Sequence, residues 1–201
     1  MSSEPFREQR PIRPALDGDL TIPYGCTERN FLQPRSDMNV SLPKMAEPSA
    51  IHDVKWIPLK FFNDPRGWLV ELFRNDLIDP NFHPVMAYIS QTKPGVSRGP
   101  HEHVDQADYF CFFGPSTFRV YLWDAREKSP TFGAKEVRDA GEGAPYALIV
   151  PAGVVHGYKN VGEKDGLVFN GANRLYAGWL KQDPVDEIRH EKDANSPYQM
   201  D

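Results

Sequence analysis

The residues most able to do chemistry are three histidines and an aspartate. His101-Glu102-His103 is followed by Asp108, and Pro151-Ala152-Gly153-Val154-Val155-His156 comes later in the chain. In an extended segment residues two apart point to one face, so His101 and His103 share a face and Glu102 opposes them. Asp108 joins that face only if a turn or bulge intervenes. The Pro-Gly turn ahead of His156 presents that imidazole inward. A single such histidine would be read as a hydrogen-bonded structural residue, but three in matched contexts suggest a site. Two chemistries suit them. Three imidazoles and a carboxylate hold a divalent transition metal; a neutral imidazole without metal takes a proton from substrate. His101 cannot do both, because a lone pair given to a metal is not free to accept a proton.

The elements that must position these groups are short β-rich runs: VKWIPLKFF, WLVELF, VMAYISQ, DYFCFF, TFRVYLW, YALIV and GLVFN. Between them stand turn signals such as Asp64-Pro65-Arg66-Gly67, Lys93-Pro94-Gly95 and Gly141-Glu142-Gly143. This spacing predicts an all-β sandwich or barrel over residues 51–201. Residues 1–50 are rich in Pro, Asp, Arg and Ser and read as an extended arm, either disordered or laid along a partner subunit. Pro184 to His190 could form one short turn of helix.

Composition narrows the function. The 201 residues carry a formal net charge of −5 and no Lys/Arg block, so nucleic acid is not an expected partner. No apolar run is long enough to span a membrane, and the charged, proline-bearing N-terminus lacks a signal-peptide core. Cys26 and Cys111 have no metal-type spacing, and Cys111 lies in an apolar run where a small buried thiol is ordinary. A reducing cytoplasm fits.

The two histidine motifs, in order, resemble those of the cupin superfamily, with Asp108 where that superfamily usually has Glu and a one-residue-short interval to Gly114. The resemblance implies a jelly-roll β-barrel. A longer resemblance covers roughly residues 62–188. DPRGWLVELFR (64 to 74), KPGVSRGPHEH (93 to 103), WDAREKSPTFG (123 to 133) and VPAGVVHGY (150 to 158) are similar to the dTDP-4-dehydrorhamnose 3,5-epimerase family, a cupin branch. This implies epimerisation next to the ketone of a nucleotide-linked 4-keto-6-deoxy sugar, with no cofactor. It implies His101 as base, oriented by Asp183 of the late Asp-Pro, with Arg98 and His156 binding substrate. Arg66 and Glu71 would reach a neighbouring subunit's nucleotide. It further implies a homodimer through the N-terminal arm.

Several positions depart from the family pattern. Phe169 stands where the family has its proton-donating tyrosine, leaving Tyr176 as the candidate acid. Met86 and Tyr88 replace a Gln and an Asn, Asp108 replaces a lysine, and His103 replaces a Gln. Exchanging a cation for an anion beside three imidazoles invites a metal. A second reading is therefore a metal-dependent cupin enzyme, with a divalent transition metal on His101, His103, Asp108 and His156. A third is a sugar-binding relative without catalysis. The epimerase reading is preferred, and the partner chosen by His101, Asp183 or a metal, separates the first two.

Overall fold

The computed structural model describes residues 46–201. Turn residues divide them into β1 (Lys55–Pro58), β2 (Phe61–Asp64), β3 (Gly67–Val70), β4 (Met86–Thr92), β5 (Ser97–Glu102), β6 (Asp108–Gly114), β7 (Thr117–Asp124), β8 (Lys135–Gly141), β9 (Tyr146–Val150), β10 (Val154–Asn160), β11 (Gly166–Ala172) and β12 (Ile188–Arg189). Two five-stranded antiparallel sheets, in the orders β1-β9-β6-β11-β4 and β12-β5-β10-β7-β8, enclose the core, and β2 and β3 form a separate hairpin. The expected all-β architecture is present.

Alternation along the central strands explains how the two sheets close on each other. Phe110 and Phe112 of β6 and Phe118, Val120 and Leu122 of β7 meet Trp56, Leu148, Val154 and Val168 between the sheets. Their outward neighbours are buried too. Tyr109 and Cys111 lie under Leu72, Ile78 and Phe169, with the Tyr109 hydroxyl donating to the Leu72 carbonyl at 2.8 Å. Tyr121 and Trp123 lie under Tyr198 and Met200. Strands covered on both faces read as continuous apolar runs, which is how DYFCFF and TFRVYLW appear.

Three elements differ from expectation. KEVRDAG, unread as a strand, forms β8 at a sheet edge, where outward Lys135 and Asp139 discourage further pairing. VKWIPLKFF is broken at Leu59-Lys60, so its halves serve different sheets. Residues 184–189 are not helical: Ile188 and Arg189 pair with Glu102 and His101 along the free edge of β5, and a 3-10 turn begins only at His190. The open edge offers backbone partners that one helical turn would leave unmet. The expected arm falls mostly outside the described residues. Its last part packs on the barrel, with the Glu47 N–H donating to the Trp56 carbonyl at 2.7 Å and the Ser49 hydroxyl to Glu136 at 2.5 Å.

Phe112 is fully buried at the middle of the core. Phe112→Ala is expected to cost about 3–5 kcal/mol of unfolding free energy in a urea titration, with the loss set by how far the neighbouring rings collapse.

Candidate active site

β5 and β10 bring two of the histidines side by side. His101 pairs across the ladder with His156, and their ring centroids are 4.5 Å apart at a steep angle. From that pair to the next, Tyr158 with Arg98, β5 carries one more residue than β10, a bulge at Gly99-Pro100. Gly99 has φ +77°, and a Cβ there would meet the His156 carbonyl oxygen at 2.7 Å, so only glycine lets the strands approach this closely. Glu102 points away from the site and accepts from His190 at 3.0 Å, as the period of two requires.

Asp108 arrives from the other sheet. After His103 the chain turns through residues 104–107 and re-enters as β6. The Asp186 carboxylate fixes that turn by accepting from the backbone N–H groups of Val104, Asp105 and Gln106 at 2.8, 2.8 and 3.0 Å. Asp108 Oδ2 then lies 3.2 Å from His156 Nε2 and 3.3 Å from His103 Nε2. Gln106 Nε2 donates to Asp108 Oδ1 at 2.8 Å. The remaining ring nitrogens are held by backbone carbonyls, His156 Nδ1 by Val154 at 2.9 Å and His103 Nδ1 by Asp186.

Burial among like groups sets the charges. His101 is pushed down to about 2, by burial first and then by the neighbouring His156 and His103, and is therefore neutral at physiological pH. Burial also opposes charge on His103, but the bond and charge of Asp108 and the Asp186 carbonyl outweigh it and hold its pKa above the ordinary value. Asp108 is likewise penalised by burial, yet the two histidine contacts keep its carboxyl well below the usual range. His101 is therefore neutral beside the ion pair of His103 and Asp108.

These groups face a cavity of about 1000 Å³. Of the residues singled out from sequence, His101, His103, Asp108, Tyr176 and Asp183 line it, and His156 lies just behind. The others lie elsewhere. Arg98 donates to Thr92 Oγ1 at 2.9 Å and the Gln91 carbonyl at 2.8 Å on an exposed stretch of β5, while Arg66 pairs with Asp64 at the tip of the β2–β3 hairpin. Glu71 lines a separate, smaller hollow with Leu72 and Ile78. No hydrogen bond joins Asp183 to His101. The Asp183 carboxylate lies against Gly178, where a Cβ would meet it at 1.7 Å, and the carboxylate that faces His101 Nδ1, at 4.0 Å, is Glu187, itself gripped by Arg189 at 2.6 Å.

Phe169 does not stand in the cavity. On β11, Val168 and Asn170 point inward, while Phe169 packs outside with Cys111 and Ile149, 6.2 Å from the Phe73 ring. Tyr88, on β4 of the other sheet, brings a hydroxyl to the cavity and accepts from Asn170 Nδ2 at 3.0 Å. Burial and Asp108 push Tyr88 up to about 12, so it remains a protonated donor. Lys181, Arg174 and Arg189 add positive charge to the rim. Gln106, Asp186, Glu187 and Arg189 are site groups that motif reading passes over, and Tyr88 enters it only as a departure from the family pattern; the cluster of acids in Asp183-Pro184-Val185-Asp186-Glu187 was the available signal.

Two facing antiparallel sheets with a polar cluster at one end make this a jelly-roll barrel of cupin type. The chain belongs to the dTDP-4-dehydrorhamnose 3,5-epimerase family, whose model matches residues 48–181. The probable low-salt glycan biosynthesis epimerase Agl13 of Haloferax volcanii is 38% identical over 139 residues, 68% of this chain and 86% of that protein. The spore coat polysaccharide biosynthesis protein SpsL of Bacillus subtilis is 39% identical over 115 residues, 56% of this chain and 74% of that protein. The fold is shared with the crystal structure of NovW, a 4-keto-6-deoxy sugar epimerase of Streptomyces spheroides, at a TM-score of 0.61 and 24% identity over 76% of this chain and 79% of that one.

The lowered pKa of His101 has a consequence for stability. Its folded value lies below the unfolded one, so below about pH 6.5 the unfolded chain binds the extra proton. Stability is therefore lost as pH falls from about 6.5 toward the folded value, by at most about 1.4 kcal/mol per pH unit. With EDTA present, urea titrations at a series of pH values should show this decline in the native chain and a shallower one in His101→Asn.

Proposed function

We propose that the chain epimerises a nucleoside-diphosphate-linked 4-keto-6-deoxy sugar, most directly a dTDP sugar, at a carbon next to the ketone. The observation that carries this reading is a neutral imidazole and a phenol brought to one cavity by strands of different sheets, His101 on β5 and Tyr88 on β4, in a chain of this family. Inverting a carbon needs a proton removed from one face and returned to the other, and groups on facing sheets meet that need. No resident cofactor enters the reaction as read.

In the proposed reaction His101 takes the proton, the electrons pass into the C4 carbonyl as an enolate, and a hydroxyl reprotonates the opposite face. Tyr88 is the proposed donor, with Tyr176 at the rim as the second candidate. A base held as low as His101 is weak in the empty cavity. The negative diphosphate, the developing enolate and Glu187 supply the charge that stabilises its imidazolium once substrate is seated. Glu187, pinned by Arg189, takes the orienting role that the resemblance gives to Asp183. Lys181, Arg174 and Arg189 suit the diphosphate by charge. Arg98 and His156 act on this reading as supports of the strand pair.

A homodimer accompanies the proposal. Phe62, Trp68 and Leu69 on the β2–β3 hairpin and Ile89 on edge strand β4 are exposed by half or more, an apolar surface that a second copy would cover. Light scattering should then give twice the 22.9 kDa of one chain. The proposed compartment is the cytoplasm, in keeping with the free, buried Cys111 thiol.

Incubation in D₂O with dTDP-4-keto-6-deoxyglucose tests the reaction. Deuterium is expected at C3, C5 or both, read by NMR, and His101→Asn should lower the exchange rate by about 10²–10⁴-fold. Tyr88→Phe should slow product formation more than exchange, since it removes the returning proton and not the base. Absence of exchange with every nucleotide carrier tried would sink the proposal.

A further inference from the structure

Asn170 of β11 and Tyr88 of β4 stand directly opposite each other in the antiparallel ladder, on the inward face. Asn170 is 4% exposed, whereas the half-exposed Tyr88 ring lines the cavity. Among the described residues the Asn170 amide makes one side-chain hydrogen bond, from Nδ2 to the Tyr88 oxygen at 3.0 Å, and its Oδ1 is buried without a partner. A buried amide oxygen left unpaired is costly, and the inward neighbours along β11, Val168 and Ala172, are apolar. The strand therefore has no packing need for an amide here, and the bond to Tyr88 is the gain that remains. A phenol oxygen that accepts on one side turns its own proton to the other, and among the described residues no other hydrogen bond involves this hydroxyl. Its proton is left for the cavity.

We propose that Asn170 is a positioning residue for the return of the proton: it holds the Tyr88 hydroxyl with its proton toward the substrate and stabilises the phenolate left behind. This rests on the epimerase reading with Tyr88 as donor. In that step the enolate's electron pair forms the new C–H bond, the Tyr88 O–H bond breaks, the C4 carbonyl is restored and the negative charge passes to the phenol oxygen. Burial and the Asp108 carboxylate oppose that charge, and the Asn170 N–H is the side-chain donor aimed at it. Hydrogen bonds to ionised partners are the stronger kind, so the amide stabilises the phenolate more than the phenol. The same amide turned end for end would accept the phenol's proton and oppose the step.

In the full chain Asn170→Ala, checked for folding by circular dichroism, should lower kcat for net inversion of dTDP-4-keto-6-deoxyglucose by about 10–10²-fold, with KM little changed because the amide acts through Tyr88. Added to Tyr88→Phe it should cost nothing more, since its effect vanishes with the phenol, whereas a structural role would give additive losses. A second readout needs no reaction. With 3-fluorotyrosine incorporated and residue 88 assigned by Tyr88→Phe, ¹⁹F NMR should place its ionisation about one to two pH units higher in Asn170→Ala, or in Asn170→Ser, than in the native chain. An unchanged or lower midpoint in the folded variants overturns the proposal. So do additive losses, or an unimpaired Asn170→Ala where the native chain inverts its substrate. A native chain that exchanges no proton with any carrier sinks the epimerase reading itself, whatever the fluorine signal shows, and the role of Asn170 falls with it.

Discussion

The site depends on one buried contact, the carboxylate of Asp108 held between His103 and His156. Each partner is reached from a different direction: Asp108 opens β6 in one sheet, His156 lies on β10 in the other, and His103 follows the last residue of β5. An ionised carboxylate so deeply buried is tolerated only because those rings and Gln106 satisfy it. That contact joins the two sheets at the polar end of the barrel, while Phe112, Phe118 and their neighbours join them through the apolar core. It also leaves His101 uncharged, because burial and two neighbouring rings oppose a further proton.

The outer layers serve the same arrangement. The segment from Asp183 to Arg189 lies beyond the family-model match at residue 181, yet it supplies Asp186 to the turn that delivers Asp108, Glu187 to His101, and β12 to the edge of β5. A cavity wall built from a terminal segment can differ between relatives without disturbing the barrel behind it. This is where substrate preference can change while the fold is kept.

Much of this was legible in the sequence, and the limits have physical causes. A spacing of two placed His101 and His103 on one face because a strand permits no other outcome. Asp108 could be recognised as a partner but not located, since its approach depends on a turn capped by Asp186 from far along the chain. Phe169 matched a family position by alignment, whereas Val168-Phe169-Asn170 buries residues on both faces of β11 and so hides which way the ring points. Asp183, Asp186 and Glu187 are three carboxylates within five residues, and only the register of β12 on β5 decides which of them meets His101. KEVRDAG carries no strand signal of its own, and its pairing with β7 is supplied entirely by the neighbour.

The cluster divides its charge unevenly, with His101 neutral and His103 charged beside Asp108. An NMR titration of the histidine ring resonances, on metal-free protein assigned with single His substitutions, reads each ring separately. His101 is expected to show no titration between about pH 5 and 8, while His103 titrates above the ordinary histidine value. A His101 midpoint near about 6.5 would contradict it.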